Sequence, residues 1–267
     1  RGLGDVYKRQ PQYVEDKYEV PYDIAKLMMP SILFYKMFMS KDKNQIIIAP
    51  EISLVDGILV EYVEKNAYTH TKHIFTDDII SSAKYYAGKY DVSHRHYTKI
   101  MEFGVNIMAT LSKKFGLSKR HAVLLKVASI FADTGYYINI NDYSKYSYDL
   151  VKSNPIIGLS QKEHEVISGA VLFQNGIFDF NEYNVYSKNR RLLISKLAAI
   201  LSLAKSLDVE YNQKIDEIKT SIRNGILTIT AYTDSDISLE EREFNIAQEF
   251  FEEVFGIKAV LVKKGLK

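Results

Sequence analysis

Six histidines are the first residues here whose type and spacing invite a chemical reading, because well-placed imidazoles bind metal ions or carry protons. His94 and His96 are two apart in one helical stretch, so they point in different directions and cannot chelate one ion as an i,i+4 pair would. His70 and His73 lie in the polar run Thr69-His70-Thr71-Lys72-His73, with usable spacing but no third partner nearby. His121 and His164 stand alone on amphipathic stretches beside charged residues. Taken one at a time, each reads as a solvated or locally paired imidazole. The chain has no cysteine, which excludes disulfides, thiol nucleophiles and thiolate ligands, so any metal would need His, Asp or Glu.

A distributed constellation carries more. His96 falls early in a long helix, a strongly apolar helix ends in Ser129-Ile130-Phe131-Ala132-Asp133-Thr134-Gly135, a Tyr-rich turn follows, and a late helix ends in Leu203-Ala204-Lys205-Ser206-Leu207-Asp208. That is the order of an HD domain, in which a first His, an adjacent His-Asp pair and a late Asp hold a divalent ion that activates water. Ala132 stands in place of the second His, and Lys205 stands where Ala-Asp is common. His96, Ala132, Asp133 and Asp208 are therefore degenerate positions, with no metal and no catalytic residue expected. An Ala coordinates nothing, and catalytic centres keep three protein ligands with hydrogen-bonded support behind them. Asp133 sits at a helix C-terminus, where the dipole disfavours its charge, so a capping or tyrosine hydrogen bond is expected to hold it.

The elements that must position these residues follow from periodicity. Helical spacing covers residues 77–89, 94–114, 119–132, 144–152, 161–174 and 189–208, with breaks at Gly116, Asn154-Pro155 and Asn175-Gly176. Ser118 and Ser160 sit at N-cap positions, and Leu197-Ala198-Ala199-Ile200-Leu201 is apolar on nearly every face, which predicts a central helix. Upstream, residues 22–40 read as a helix entered at Pro21 and kinked near Pro30. Ile46-Ile47-Ile48 reads as a strand, and Ser53 can cap a helix carrying Ile58, Leu59 and Tyr62. Downstream, Lys214 to Ser221 alternates, Arg223-Asn224-Gly225 signals a hairpin, and Leu227-Thr228-Ile229-Thr230 answers it. Ser238 with Glu241 has capping-box spacing before a helix stopped by Gly256, and residues 257–262 close as a strand. The expected class is mainly α: the end of an α/β domain at 11–68, an HD-like helical domain at 69–209, and a small ββαβ module at 210–267.

At 46% hydrophobic over 267 residues the chain can bury a sizeable core. Its most apolar stretch, Leu27 to Met39, contains Pro30 and Lys36 and is short of the roughly 20 residues that span a bilayer, which predicts a soluble, cytoplasmic protein with no membrane partner. The opening RGLGDVYKRQ leads into no periodic pattern and reads as an adaptor-derived segment, residues 1–10, on what is expected to be a fragment. Setting it aside leaves 32 basic and 32 acidic residues, a balance that argues against a nucleic-acid partner.

The order and wording of these segments resemble the C-terminal half of the exopolyphosphatase/guanosine pentaphosphate phosphohydrolase family over roughly residues 22 to 262. The resemblance is carried by Ser53-Leu54-Val55-Asp56-Gly57-Ile58-Leu59, by His96 to Ile100, by Phe131-Ala132-Asp133-Thr134-Gly135-Tyr136-Tyr137-Ile138, and by Tyr143 to Leu150. It continues in Pro155-Ile156-Ile157-Gly158-Leu159-Ser160, Leu197 to Leu201 with Leu207-Asp208, and Phe251 to Gly256. The departures are at histidines: Ala132, Tyr143, Tyr146 and Gln174 stand at positions that are His in the family pattern.

The resemblance implies that hydrolysis of terminal phosphate, with its Mg²⁺, belongs to actin-like domains, of which residues 11–68 would be the end. No Gly-rich phosphate loop opens a helix here, so no catalytic residue and no bound cofactor is carried over. The helical half is then expected to be inactive alone, to help receive polyphosphate or guanosine pentaphosphate, and to pair as a homodimer. Contact candidates for such a polyanion are Lys188, Arg190 and Arg191 at one helix start, and Lys119 and Arg120 at another. Two other classes remain open: a free-standing HD metal phosphohydrolase, and a non-enzymatic polyphosphate- or nucleotide-binding module.

Overall fold

The computed structural model describes residues 10–39, 76–90, 92–177 and 183–265, with Val55, Gly57, Ile58 and Tyr62 as single helical positions between. The rest of the opening segment, the expected strand Ile46-Ile47-Ile48 and His70 and His73 lie outside the described residues. The chain divides into two compact units, Arg1–Lys72 and His73–Lys267.

In the first unit, α1 spans Pro11–Tyr18 and α2 spans Tyr22–Met39. Helix α1 has no counterpart in the sequence reading, although Pro11 at its first position is pre-set for a helix start. Pro30 lies inside α2 rather than ending it.

The second unit runs α3 (Thr76–Ala87), a 3₁₀ turn (Gly88–Tyr90), α4 (His94–Phe115), α5 (Lys119–Phe131), a 3₁₀ turn (Thr134–Tyr137), α6 (Tyr143–Ser153), α7 (Gln161–Leu172) and α8 (Lys188–Ser206). It closes with β1 (Glu217–Arg223), β2 (Ile226–Tyr232), α9 (Ser238–Phe255) and β3 (Lys258–Lys264). The class is mainly α with a small ββαβ module, as the periodicity predicts. Among the described residues no helix is long and apolar enough to cross a membrane.

Local chemistry explains the helix limits. Ser118 and Ser160 each form a full capping box, with His121 and Glu163 returning the bond to the cap residue's N–H. Helix α4 buries His96, Ile100, Phe103, Ile107 and Leu111 at helical spacing, a single stripe. Helix α8 buries Leu197 through Leu201 without a break, the mark of a central helix.

Strands β1 and β2 pair antiparallel through Asn224 and Gly225, both at positive φ as a two-residue primed turn requires. Strand β3 joins β2 in parallel, giving the order β1-β2-β3. Leu227, Ile229, Ala231 and Ala259 on this sheet belong to the same buried cluster as the helices, so residue 209 marks a change of secondary structure inside one unit. One expected cap is corrected. Ser238 does not cap α9; it donates from N and Oγ to Asp236 Oδ1 (3.1 and 2.6 Å), because Ile237 and not Ser238 occupies the N-cap position.

Candidate functional site

The degenerate positions converge. His96, in the first turn of α4, is buried with only 2% of its surface exposed, and its ring lies between two carboxylates contributed from 37 and 112 residues away. Nδ1 donates to Asp208 Oδ2 at 2.7 Å and Nε2 donates to Asp133 Oδ2 at 2.8 Å. The reading of His96 as solvated or locally paired is thus overturned, since sequence separation says nothing about which helix ends meet. The other described histidines do stay local: His121 serves its own capping box, and His164 pairs with the Asn154 carbonyl.

Each carboxylate is placed by a particular local device. Helix α5 ends at Phe131, and Asp133 leaves helical geometry (φ −114, ψ 9) as the chain tightens into the 3₁₀ turn. Ser147 on α6 clamps that turn, accepting from Gly135 N at 2.8 Å and donating to the Ala132 carbonyl at 3.1 Å. A Cβ on Gly135 would stand 1.9 Å from the Tyr143 carbonyl oxygen, so only glycine lets α6 seat against the turn. Asp208 follows α8 and is held by the Gln213 N–H at 2.7 Å and its Nε2 at 3.2 Å. Gln213 and Tyr211 both sit at positive φ (50 and 61), a backbone that costs free energy for side-chain-bearing residues. This bend stacks the Tyr211 ring on His96, 3.6 Å between centroids, and lets its hydroxyl donate to Asp133 Oδ2 at 3.1 Å. The tyrosine bond expected for Asp133 is therefore present.

Lys205, one turn before Asp208, completes the group. Its Nζ lies 2.6 Å from Asp133 Oδ1 and also donates to Gln174 Oε1 at 2.8 Å and Tyr143 Oη at 3.1 Å. Gln174 is held in turn, its Nε2 donating to the Ala132 carbonyl at 2.8 Å. Tyr136 stacks flat on Tyr143 at 4.0 Å. Tyr143 and Gln174 thus contact the ammonium directly, and Ala132 holds Gln174 through its carbonyl. A cavity of about 310 Å³ opens beside it, bordered by Tyr136, Tyr143, Asn175 and Glu243.

The electrostatics are those of a closed set. Burial works to lower the His96 pKa, but the hydrogen bonds to Asp133 and Asp208 outweigh it and raise the pKa above the usual histidine value. Burial works to raise that of Asp133, but the Lys205 charge and the His96 bond hold it well below the carboxylate range. Lys205 is pushed up, the Asp133 charge overcoming desolvation. Burial next to Asp133 also drives the Tyr211 phenol far up, keeping it a donor. Two carboxylates face one imidazolium and one ammonium.

A divalent ion as in an HD hydrolase does not fit these residues. Ala132 offers only a carbonyl already engaged by two donors, both His96 nitrogens are taken, and Lys205 brings positive charge against the carboxylate a metal would need. Among the described residues no group of three or more His, Asp or Glu is arranged to hold a metal. Nor is a general base free: Asp133 accepts from His96 and Tyr211 through Oδ2 and is ion-paired to Lys205 through Oδ1.

The basic candidates lie elsewhere and do not converge on this centre. Lys188 and Lys119 are exposed at the starts of α8 and α5. Arg190 is ion-paired to Glu165, and Arg191 bonds Asn184 Oδ1 and lies over the Tyr183 ring. Arg120 forms a two-toothed pair with Glu163 (2.6 and 3.0 Å), which lowers the Glu163 pKa to about 2. Lys205 is the functional residue the sequence reading left as a mere departure. Its signal was a lysine between the buried residues Ala204 and Ser206 of that helix; Tyr211, in an irregular loop, gave none.

A helical core built round the buried His96, Asp133, Asp208 and Lys205 centre, closed by a ββαβ module, is the architecture of the second unit. Residues 80–249 match the family model for Ppx/GppA phosphatase, domain III, and the chain belongs to that family. No curated protein matches the chain.

Proposed function

We propose that this chain supplies the non-hydrolytic, substrate-receiving half of a cytoplasmic phosphohydrolase that removes terminal phosphate from polyphosphate or guanosine pentaphosphate. In this reading hydrolysis and its Mg²⁺ belong to the family's actin-like domains, and the helical unit pairs as a homodimer. One observation carries the reading: His96, Asp133, Asp208 and Lys205 satisfy one another, leaving neither a base nor an open coordination position to activate water.

The start of α8 is the best-supported contact for a polyanion. Lys188 and Arg191 place positive charge at a helix N-terminus, where the dipole already favours an anion and repels cations. Arg190 has its charge neutralised by Glu165, whereas Arg191 meets the neutral Asn184 and Tyr183 side chains.

The test is retention of the full chain on immobilised polyphosphate across a salt gradient, beside a phosphate-release assay with Mg²⁺ and with Mn²⁺. Retention should fall several-fold in Lys188→Ala/Arg191→Ala with a shallower salt slope, and no phosphate should be released. Unchanged retention would remove the α8 start from the proposal, and turnover with Mn²⁺ would return the chain to the free-standing HD hydrolases.

A further inference from the structure

We propose that the ε-ammonium of Lys205 is the built-in cation of the His96 centre, filling the place where a divalent ion would be held and excluding metal by charge as well as by the missing ligand at residue 132. The inference rests on the reading of this centre as non-hydrolytic and goes beyond it, since a site can lose a ligand without gaining a positive charge.

The ammonium donates hydrogen bonds to Gln174 Oε1 and Tyr143 Oη and lies in ion-pair contact with Asp133 Oδ1 at 2.6 Å, so three oxygens surround it. Those oxygens come from three separate elements, the end of α5, the start of α6 and the turn after α7. Their convergence on one nitrogen is a coordination shell made for that cation. The shell is itself oriented. The Ala132 carbonyl takes the Gln174 NH₂ and so turns its Oε1 toward Lys205, while Tyr143 Oη, which donates to Asn175 Oδ1 at 2.7 Å, keeps its lone pairs for the ammonium. Ala132 thus serves through its backbone where a metal centre would need its side chain.

Charge makes the arrangement exclusive. Asp133 and Asp208 are matched by the His96 imidazolium and Lys205, so the centre is formally neutral. A divalent ion added beside them would leave uncompensated positive charge in a site where the Lys205 side chain is only 15% exposed. Removing the lysine leaves Asp133 buried with a carboxylate oxygen lacking its cation. That vacancy would favour any small cation able to reach it through the adjoining cavity.

The experiment is thermal unfolding and metal analysis of the full chain and three variants. The native chain should carry no stoichiometric Mn²⁺ after dialysis against it, and its melting temperature should ignore both Mn²⁺ and EDTA. Lys205→Ala and Lys205→Met should melt lower by about 10 °C. Methylammonium, but not tetramethylammonium at equal ionic strength, should restore part of that loss in Lys205→Ala only. Ala132→His/Lys205→Asp should take up one Mn²⁺ per chain and melt higher with it.

One equivalent of Mn²⁺ on the native chain would overturn the proposal, as would native melting of both single variants or equal rescue by the two amines. Should the double variant not fold, the methylammonium result decides. Metal on the native chain without phosphate release would sink this inference and leave the proposed function standing, whereas phosphate release would sink the latter.

Discussion

The two ends of α8 use the same residue type in opposite ways. At its start Lys188 is exposed against an unfavourable dipole, and the half-buried Arg191 leans on Asn184 and the Tyr183 ring. At its end Lys205 is turned inward, where the dipole favours a cation, Gln174 and Tyr143 accept its hydrogen bonds and Asp133 pairs with its charge. An exposed basic residue such as Lys188 is available to a ligand. One whose hydrogen bonds are all internal is part of the core.

The sharpest way to break this comparison is to remove one charge from each end. Lys205→Met should cost about 3–5 kcal/mol in urea unfolding, because it strands a buried carboxylate, whereas Lys188→Met should stay within about 0.5 kcal/mol. Equal effects at the two ends would undo the distinction.

Asp208→Asn should cost about 1.5–3 kcal/mol, the range for a hydrogen bond to a charged group, and NMR should show the His96 pKa falling. A His96 pKa that does not move would mean Asp133 alone sets it.

pH sharpens the picture from both sides. The His96 pKa is raised by folding, so its contribution to stability is complete below the free-histidine value and is lost as pH rises through the folded value. The Asp133 pKa is lowered, so its contribution is present above the free-carboxylate value and is lost as pH falls toward the folded one. Urea midpoints measured against pH should therefore decline on both flanks, and His96→Gln should flatten the alkaline one.

The smallest effect belongs to the exposed pair. Arg120→Ala should cost under about 1 kcal/mol, since exposed ion pairs contribute little, while a carboxyl titration shows Glu163 rising from about 2 toward the ordinary range. A loss near that of Lys205→Met would place Arg120 in the core's company.

How much of this was legible depends on the range of the interaction. The N-caps at Ser118 and Ser160 are written within four residues, and the Asn224-Gly225 turn within two, so reading the sequence recovers them, though not the return bonds from His121 and Glu163. Ser238 shows the limit of the same rule: its spacing to Glu241 is right, yet Asp236 takes its hydrogen bonds, a competition two residues outside the motif. His96 looked ordinary for the opposite reason, its partners being 37 and 112 residues away.

The sequence by itself determined the helices, the hairpin, the family and the absence of a His-Asp pair, because backbone periodicity, turn chemistry and the loss of a ligand type are local properties. Only the tertiary structure decided that the remaining His96, Asp133 and Asp208 still meet, and that Lys205 neutralises them. Burying two carboxylates on neighbouring helix ends demands compensating charge, and which chain segment supplies it is settled by packing three helix termini and one strained loop into a single buried centre.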